Sequence, residues 1–455
     1  MKQKRFHFSA LSPSKILALG FLAIILLGSL LLYLPLAAEP GVSVTYLQAL
    51  FTATSAVCVT GLTVVDTAAS YSLFGELVIL CLIQLGGLGF MMFATSALVL
   101  AKRRISLRNR MLMQETMNLP GLSGIVRNSL HFMAIVFLIE IAGAILLAIQ
   151  FVPIYGLGKG LYFGVFHAIS AFCNAGFDLF SLPGSLIPFQ QHTGVLLTIS
   201  LLIVLGGLGF AVIADVASNR FIFHKQSLHT KIVVATTLGL LAFGTVYIAA
   251  MEWNNPQTLA FEGANAFDKL IHSWFQSVTT RTAGYYSFQQ GSMQDASKVG
   301  SSILMFIGAS PASTGGGIKT TTLFVLLALV RSVFKGSTDV NAFKRRLSLP
   351  LIRTALSIFI ISLGLLTLGS IILSLFEQGQ NYDLLDLVFE EVSALATVGL
   401  SSIGTGNLKS PSQLWLILLM YFGRVGPLTM MLSFSRRHAS QFGGIQYAEE
   451  QIYVG

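Results

Sequence analysis

Apolar stretches of about 20 residues recur along the chain, and they come in pairs. A stretch of that length can cross the hydrocarbon core of a bilayer as a helix. Between the members of each pair lies a shorter amphipathic segment that ends in a glycine-containing loop. The pattern predicts an all-α polytopic membrane protein with four tandem span–pore-helix–span repeats. Eight spans and four re-entrant pore loops would then surround one central pore.

The repeat boundaries follow from this pairing. We expect an N-terminal segment at 1–15, pore repeats one to four at 16–110, 111–230, 231–350 and 351–436, and a C-terminal tail at 437–455 that serves docking or dimerisation. The predicted spans lie at 16–36 and 73–101, at 131–154 and 194–218, at 231–251 and 299–334, and at 352–376 and 412–434.

Each pore loop carries the same signature, counted back from its glycine. The glycines are Gly61, Gly176, Gly284 and Gly399, spaced by 115, 108 and 115 residues. An aromatic residue lies ten positions earlier, as Phe51, Phe166, Trp274 and Phe389. Serine or a small substitute lies six positions earlier, as Ser55, Ser170, Val278 and Ser393.

The charges confirm the membrane class and orient the chain. Only 10% of residues are charged, against about 25% in soluble domains. Lys and Arg cluster in alternate loops, whereas the intervening loops hold mostly acidic residues. By the positive-inside rule, both termini and the basic loops are expected in the cytoplasm and the pore loops on the outer side. The net charge of +9 therefore indicates membrane topology and not nucleic-acid binding.

The first apolar run and the cysteines each allow more than one interpretation. The first apolar run, Ile16 to Leu36, follows a basic segment, so a cleaved signal peptide is the alternative to a retained span. The run exceeds the signal-peptide core of about 7–15 residues, which favours a span. Cys58 and Cys173 hold the same position in two repeats, and Cys81 stands alone. The cysteines predict neither a metal site nor a disulfide.

Four copies of one loop suit a carbonyl-lined ion filter. Non-helical backbone at membrane depth survives only where protein buries it or where it lines a wet path. Loops closed around an axis can replace the hydration shell of a cation with carbonyl oxygens. The loop side chains share no chemistry, and no ring of carboxylates exists for a divalent ion. The predicted ligands are the backbone carbonyls of Val59, Thr60, Gly61, Asn174, Ala175, Gly176, Thr282, Ala283, Gly284, Thr397, Val398 and Gly399.

The second spans also share a glycine. It recurs as Gly86, Gly206, Gly308 and Gly423, and the hexapeptide LGGLGF is identical at 85–90 and 205–210. Small residues let helices approach closely in lipid, so packing is the favoured interpretation; a hinge or pore-lining role is the alternative.

The four-fold pattern fails at two places. Residues 308–320, GASPASTGGGIKT, cannot continue a helix unaided, whereas the other second spans are expected to be plain helix. A broken helix beneath a filter predicts a gate; a structural kink is the alternative. Arg424 replaces a small residue, and such a charge normally faces a cavity or a partner. We expect it to face the pore as a barrier, or to tie helices by a salt bridge. The predicted gate residues are Gly308, Ser310, Gly315, Gly316, Gly317, Lys319 and Arg424.

From Ile16 to Phe434 the arrangement resembles the Trk/Ktr/HKT superfamily of potassium transporters, and it looks most like the membrane subunit of a bacterial Ktr potassium-uptake system. The resemblance implies K⁺ as the transported ion and no organic cofactor on this chain. It also implies the bacterial plasma membrane, a homodimer with one pore per subunit, and a cytosolic nucleotide-binding ring of the regulator-of-potassium-conductance type. Family members with serine at the first filter glycine tend to admit sodium, so Gly61 favours potassium.

Two other functional classes remain as alternatives. No nucleophile–base pair or aspartate dyad stands out, so an enzyme is not expected, and no catalytic residues are assigned. An ion-coupled alternating-access transporter of another monovalent cation or small solute is the second candidate, although such proteins usually contain inverted repeats. Glu140 and Asp215 could carry a coupled proton, but structural roles are favoured because no chain of acids or histidines accompanies them.

Overall fold

The computed structural model describes residues 13–100, 110–111, 125–180, 184–219, 222–426 and 429–430. The N-terminal residues before 13 and the predicted tail at 437–455 lie outside these ranges. The described part is almost entirely helical. Its α-helices are α1 (Pro13–Leu32), α2 (Tyr46–Cys58), α3 (Thr67–Ser70), α4 (Leu73–Leu88), α5 (Phe90–Leu100), α6 (Ile125–Tyr155), α7 (Leu157–Phe172), α8 (Thr193–Leu208), α9 (Phe210–Ser218), α10 (Leu228–Glu252), α11 (Ala266–Thr279), α12 (Asp295–Phe306), α13 (Thr320–Phe334), α14 (Leu349–Phe376), α15 (Leu384–Leu395) and α16 (Ser410–Val425).

Short elements connect these helices. A two-residue hairpin, β1 (Asn341–Ala342) and β2 (Arg345–Arg346), lies between α13 and α14. Single 3₁₀ turns occur at Pro35–Ala37, Ile187–Phe189, Phe223–Lys225, Gln290–Ser292 and Thr405–Asn407.

Four helices in the described ranges are long and apolar enough to cross a bilayer. They lie at Ser14–Leu32, Ser129–Tyr155, Leu228–Glu252 and Leu349–Phe376, which are the positions of the predicted first spans. Their long apolar sequences have few charges, so each can be a continuous helix in lipid. The bent pair α8 and α9 would add a fifth span.

The second spans of repeats one and two are interrupted, so the expectation of plain helix there was wrong. The α4 helix ends at Leu88 and α5 begins at Phe90, with Gly89 between them at φ 81°. At Gly209, with φ 93°, α8 and α9 meet at a bend of 96°. A positive φ is accessible to glycine but incompatible with an α-helix, so each such glycine stops the helix. In repeat three the interruption is longest, from Ile307 to Lys319.

The packing of neighbouring helices closes a circle. In each predicted repeat the short second helix lies against the long first helix, as α1 with α2 and α6 with α7. That short helix also packs on the second-span helix of the preceding repeat. The pairs are α4 with α7, α8 with α11, α12 with α15, and α16 with α2, which returns to the start of the chain.

Side-chain caps set where two of the short helices begin. Thr45 and Gln48 form a reciprocal capping box at the start of α2. Asn265 and Asp268 form the same arrangement at the start of α11. These caps satisfy backbone N–H groups that would otherwise lack partners at a helix start. The aromatic residues Phe51, Phe166 and Phe389 of the loop signature are fully buried.

Candidate functional site

The four short helices α2, α7, α11 and α15 each lead into a glycine loop. We call these loop one (Val59–Gly61), loop two (Asn174–Gly176), loop three (Thr282–Gly284) and loop four (Thr397–Gly399). Every residue of the four loops is described and buried. The structure therefore brings all twelve predicted ligand residues into the interior, at the ends of equivalent helices.

The loops share one backbone conformation. In each loop the first residue and the glycine have positive φ, and the second residue does not. The first residues are Val59, Asn174, Thr282 and Thr397, with φ of 57°, 60°, 69° and 53°. Three of them are β-branched, and this conformation costs a residue with a Cβ about 1–2 kcal/mol. Strain of this kind persists only where the surroundings enforce it, and it clusters at functional sites.

The loops also approach one another in a closed ring. At each glycine, the position that a Cβ would take lies against a carbonyl oxygen of the next loop. The distance from this Cβ position to the oxygen is 2.6 Å for Gly61 and Ala175, 2.7 Å for Gly176 and Ala283, 2.9 Å for Gly284 and Val398, and 2.2 Å for Gly399 and Thr60. Each position therefore requires glycine for two reasons: its φ is positive, and the backbone of the next loop leaves no room for a Cβ.

Hydroxyl groups six positions before the glycines hold two of the loops. Gly61 N–H donates to Ser55 Oγ and Gly399 N–H donates to Ser393 Oγ, each at 3.0 Å. In loop two, Ser170 Oγ donates instead to Phe177 O at 2.8 Å. Val278, the expected substitute in repeat three, has no hydroxyl. The adjacent Thr279 replaces it and donates to Tyr285 O. The alignment of the repeats by their glycines did not predict that the hydroxyl group lies one residue later in repeat three.

The 308–320 segment packs directly against the glycine loops. A Cβ on Gly315 or Gly316 would lie 2.1 Å from Thr282 Oγ1 or Thr397 Oγ1, respectively. Thr314, which the sequence did not single out, donates its hydroxyl to Phe172 O at 3.2 Å. The segment thus lies beside the first residues of loops three and four and the end of α7.

Main-chain hydrogen bonds fix this segment to repeat two. Ser310 N–H donates to Gly207 O at 3.1 Å, and Thr314 N–H donates to Gly206 O at 3.3 Å. Phe210 N–H donates to Ala312 O at 3.0 Å. The helix break at Gly209 frees backbone groups that bond to the segment. The two interruptions therefore satisfy one another's polar groups, as buried backbone requires.

Two partly buried cations also hold the segment. Arg424 donates to Thr314 O and, in repeat one, to the carbonyls of Gly86 and Gly87. Lys319 Nζ donates to Gly315 O at 2.8 Å and to Gly316 O at 3.5 Å. The two ion pairs found among the described residues involve neither cation. The expected alternative of a salt bridge at Arg424 was therefore wrong for the described part of the chain, because its partners are carbonyl oxygens.

A cavity of about 380 Å³ adjoins these groups. Its lining includes Gly315, Gly317 and Lys319 of the segment, together with Arg424. Of the predicted gate residues, Gly308, Ser310 and Gly316 are not part of this lining. They lie deeper, where Ser310 Oγ is 3.1 Å from Thr320 Oγ1 and a Cβ on Gly308 would lie 2.1 Å from Gly316 O.

The glycines shared by the second spans are packing positions, as predicted. A Cβ on Gly86, Gly206 or Gly423 would lie 2.0, 1.9 or 2.0 Å from the carbonyl oxygen of Val57, Phe172 or Leu395. Each of these carbonyls is four residues before a loop glycine. The second-span helices therefore touch the ends of the short helices and help to position the loops.

The two acids left open by the sequence have structural partners. Both carboxylate oxygens of Glu140 accept from Gln84 Nε2, at 3.1 and 2.9 Å. Asp215 accepts from Ser227 N–H and from the Thr230 hydroxyl at the start of α10. Within the described ranges, no group of three or more His, Cys, Asp or Glu side chains could hold a metal ion.

Comparison with known proteins identifies the family. The sequence profile of TrkH, described as a cation transport protein, matches residues 4–443. The chain belongs to the TrkH family of cation transport proteins. It is therefore a multi-pass membrane protein of a transporter family and not of an enzyme family.

Individual relatives cover nearly the whole chain. Ktr system potassium uptake protein B of Bacillus subtilis is 40% identical over 100% of this chain and 99% of the relative. Potassium/sodium uptake protein NtpJ of Enterococcus hirae is 38% identical, covering 98% of each. The crystal structure of the potassium transporter TrkH from Vibrio parahaemolyticus matches with a TM-score of 0.74 and 16% identity, over 95% of this chain and 87% of that one. That structural match shows the shared fold.

The glycine packing generates a testable prediction. In Gly206→Ala, the new methyl group would collide with Phe172 O, so we expect loss of folded, monodisperse protein in size-exclusion chromatography. Gly239→Ala is the matched control, because Gly239 also lies in a helix but has nothing within 4 Å of its Cβ position. Alanine stabilises such an open helical position by about 0.4–1 kcal/mol. Equal behaviour of the two variants would contradict the packing role.

Proposed function

We propose that this chain is the ion-translocating subunit of a potassium uptake system. Dehydrated K⁺ would pass through a filter made by loops one to four, in which backbone carbonyls replace the hydration shell. The closed ring of glycine-to-carbonyl approaches carries this proposal, because it joins four equivalent main-chain segments. The named potassium uptake relatives support the choice of ion.

The proposal includes the full architecture. Four tandem repeats would give eight spans, counting each interrupted second span once, and four re-entrant pore loops. The N-terminal residues 1–15 and the tail 437–455 would lie in the cytoplasm of a bacterium, and the pore loops would face outward. The position of the four long apolar helices at the predicted first spans supports this count.

The 308–320 segment would be the gate. Its glycines lie against the first residues of loops three and four, so an ion leaving the filter would meet it before reaching the adjoining cavity. Arg424 and Lys319 would hold it in place through its own carbonyl oxygens. Arg424 would also oppose cations by its charge, which is costly to bury and has no carboxylate partner in the described residues.

The relatives that bear the Ktr system name support a subunit that works with partners. We propose a homodimer in lipid, with one pore in each subunit. A cytosolic nucleotide-binding ring would act on the gate, and any nucleotide would be bound there and not by this chain. K⁺ is the transported ion. Its flux is either coupled to sodium, as the name of the Enterococcus relative suggests, or passive.

An ion-coupled alternating-access transporter is the second candidate. It needs two halves that move against each other around a site at mid-membrane. The closed circle of helix packing favours a stationary filter with a local gate instead.

The proposed function predicts growth rescue. Expression in a bacterium that lacks its potassium uptake systems should restore growth on limiting K⁺, with the cytosolic partner supplied. Radioactive rubidium uptake into the same cells, with Na⁺ as competitor, measures the ion preference directly. If correctly folded protein gives neither growth nor rubidium uptake, the potassium assignment is wrong.

Gly61→Ser tests the filter. The serine side chain would meet Ala175 O, so loop one must shift and its carbonyls must move. We expect the preference for K⁺ over Na⁺ to fall by about tenfold, which needs only about 1.4 kcal/mol of relative binding free energy. Gly41→Ser is the matched control, since Gly41 also has a positive φ, 87°, but no atom within 4 Å of its Cβ position. Unchanged selectivity in folded Gly61→Ser protein would argue against this filter.

Arg424→Ala tests the gate. The change removes a charge, a hydrogen bond to Thr314 O of the 308–320 segment, and hydrogen bonds to the carbonyls of Gly86 and Gly87. We expect K⁺ flux into proteoliposomes, without the regulatory partner, to rise by about tenfold, because one charge-assisted hydrogen bond alone contributes about 1.5–3 kcal/mol. Arg424→Lys, which keeps the charge but not the fork of donors, should give an intermediate flux. Wild-type flux in the Ala variant would contradict the gating role.

A further inference from the structure

Arg281 breaks the four-fold pattern at a third place. The residue three positions before the loop glycine is Cys58, Cys173 or Ala396 in three repeats, and arginine only in repeat three. Arg281 is 7% exposed. It directly precedes Thr282, the first residue of loop three. A permanently charged side chain is therefore buried next to the proposed filter.

The guanidinium of Arg281 is incompletely satisfied. Its Nη2 donates to Gly308 O at 3.5 Å, which is the outer limit for a hydrogen bond. Its Nη1 is buried and has no hydrogen-bond partner. Neither of the two ion pairs in the described ranges involves Arg281. Leaving a buried charged donor unpaired is costly, so the site needs another partner.

A small cavity beside Arg281 could hold that partner. It is lined by Arg281, Val204, Thr237 and Leu241, among others, and leaves about 10 Å³ for the centre of a water molecule. That is near the minimum for one ordered water. Thr237 Oγ1, on α10, is also buried and lacks a partner. Two unsatisfied polar groups thus line one cavity of the size of one water molecule.

The position of Arg281 has an electrostatic consequence. Arg281 lies two residues beyond the end of α11, and its acceptor Gly308 lies two residues beyond the end of α12. The carboxyl end of a helix carries a partial negative charge that attracts cations. At the corresponding ends of α2, α7 and α15, small neutral residues take the place of Arg281. At this position, only α11 has a positively charged side chain, and that charge offsets the attraction of the helix end for a cation.

We propose that Arg281, hydrated by one trapped water shared with Thr237, is a fixed positive charge that weakens K⁺ binding at the end of the filter nearest the 308–320 segment. This inference rests on the proposed potassium function. The charge makes the filter asymmetric, so that an ion reaching its inner end is held less tightly and departs faster. Arg281 thereby becomes a determinant of apparent affinity, separate from the carbonyl ring that selects the ion.

The test compares charge-free and charge-conserving variants of the full-length chain. We expect Arg281→Gln to lower the KM for K⁺ uptake by about tenfold, the scale of one unit charge about 12 Å away in an effective dielectric of about 20. The maximal uptake rate should also fall, because an ion that is held more tightly departs more slowly. Arg281→Lys should keep KM within about twofold of wild type, since it keeps the charge. The K⁺ concentration that half-stabilises the purified protein against heat should shift in parallel.

The trapped water has its own variant pair. Thr237→Val removes the hydroxyl but keeps the shape, and Thr237→Ser keeps the hydroxyl. We expect a lower Tm for the valine variant than for the serine variant, with KM unchanged in both. Equal Tm values would overturn the shared water.

The outcomes separate this inference from the potassium assignment. If wild-type protein shows neither K⁺ uptake nor K⁺-dependent stabilisation, the assignment itself fails. If wild type shows both, an unchanged KM in Arg281→Gln overturns only the fixed-charge role, as does an equal shift in Arg281→Lys. Arg281→Met provides a second charge-free variant. If neither charge-free variant folds while Arg281→Lys does, the charge is structural and the inference is wrong.

Discussion

Around the four loop glycines, main-chain atoms of neighbouring loops approach so closely that no side chain larger than hydrogen fits between them. A Cβ at Gly399 would lie 2.2 Å from Thr60 O, and equivalent approaches follow around the ring. Loops packed this closely must be held in position by the surrounding structure. The support comes from the short helices that lead into the loops and from the second-span glycines, which let neighbouring helices lie directly against those helix ends. The left-handed conformation of Val59, Thr282 and Thr397 is part of the same arrangement, because it persists only under such constraint.

Interrupted helices impose a second constraint on this fold. Each interruption at membrane depth exposes carbonyl and N–H groups that no lipid can satisfy. The backbone groups that are freed at the breaks near Gly209 and Gly308 form hydrogen bonds with one another, across the boundary between repeats two and three. Other freed carbonyls, at Gly86, Gly87 and Thr314, accept from Arg424. Arg424 and Lys319 are therefore stabilised by main-chain oxygens, whereas Lys298 pairs with the Asp386 carboxylate.

Function is divided between what the repeats share and what they do not. All four repeats contribute the same main-chain geometry to the ring. Repeat three alone adds the long interruption at 308–320 and Arg281, and repeat four alone adds Arg424. These added groups contact one another, because Arg281 donates to Gly308 O and Arg424 donates to Thr314 O of the 308–320 segment. In the proposed function, the shared backbone selects the ion and the unshared side chains control its departure.

The sequence by itself determined the membrane class, the four first spans, the four loop glycines and the departures at 308–320 and Arg424. Those features are local: apolar length, a recurring spacing, and a charge or glycine run that contradicts a span. Only the tertiary structure decided that the second spans of repeats one and two also break, since a lone glycine in an apolar run is compatible with a continuous helix. It also decided that Arg424 bonds to carbonyls, that Thr279 replaces Val278, and that Arg281 is buried beside an unpaired threonine. These depend on which backbone atoms of distant repeats come within hydrogen-bonding distance, and spacing along one chain carries no information about such contacts.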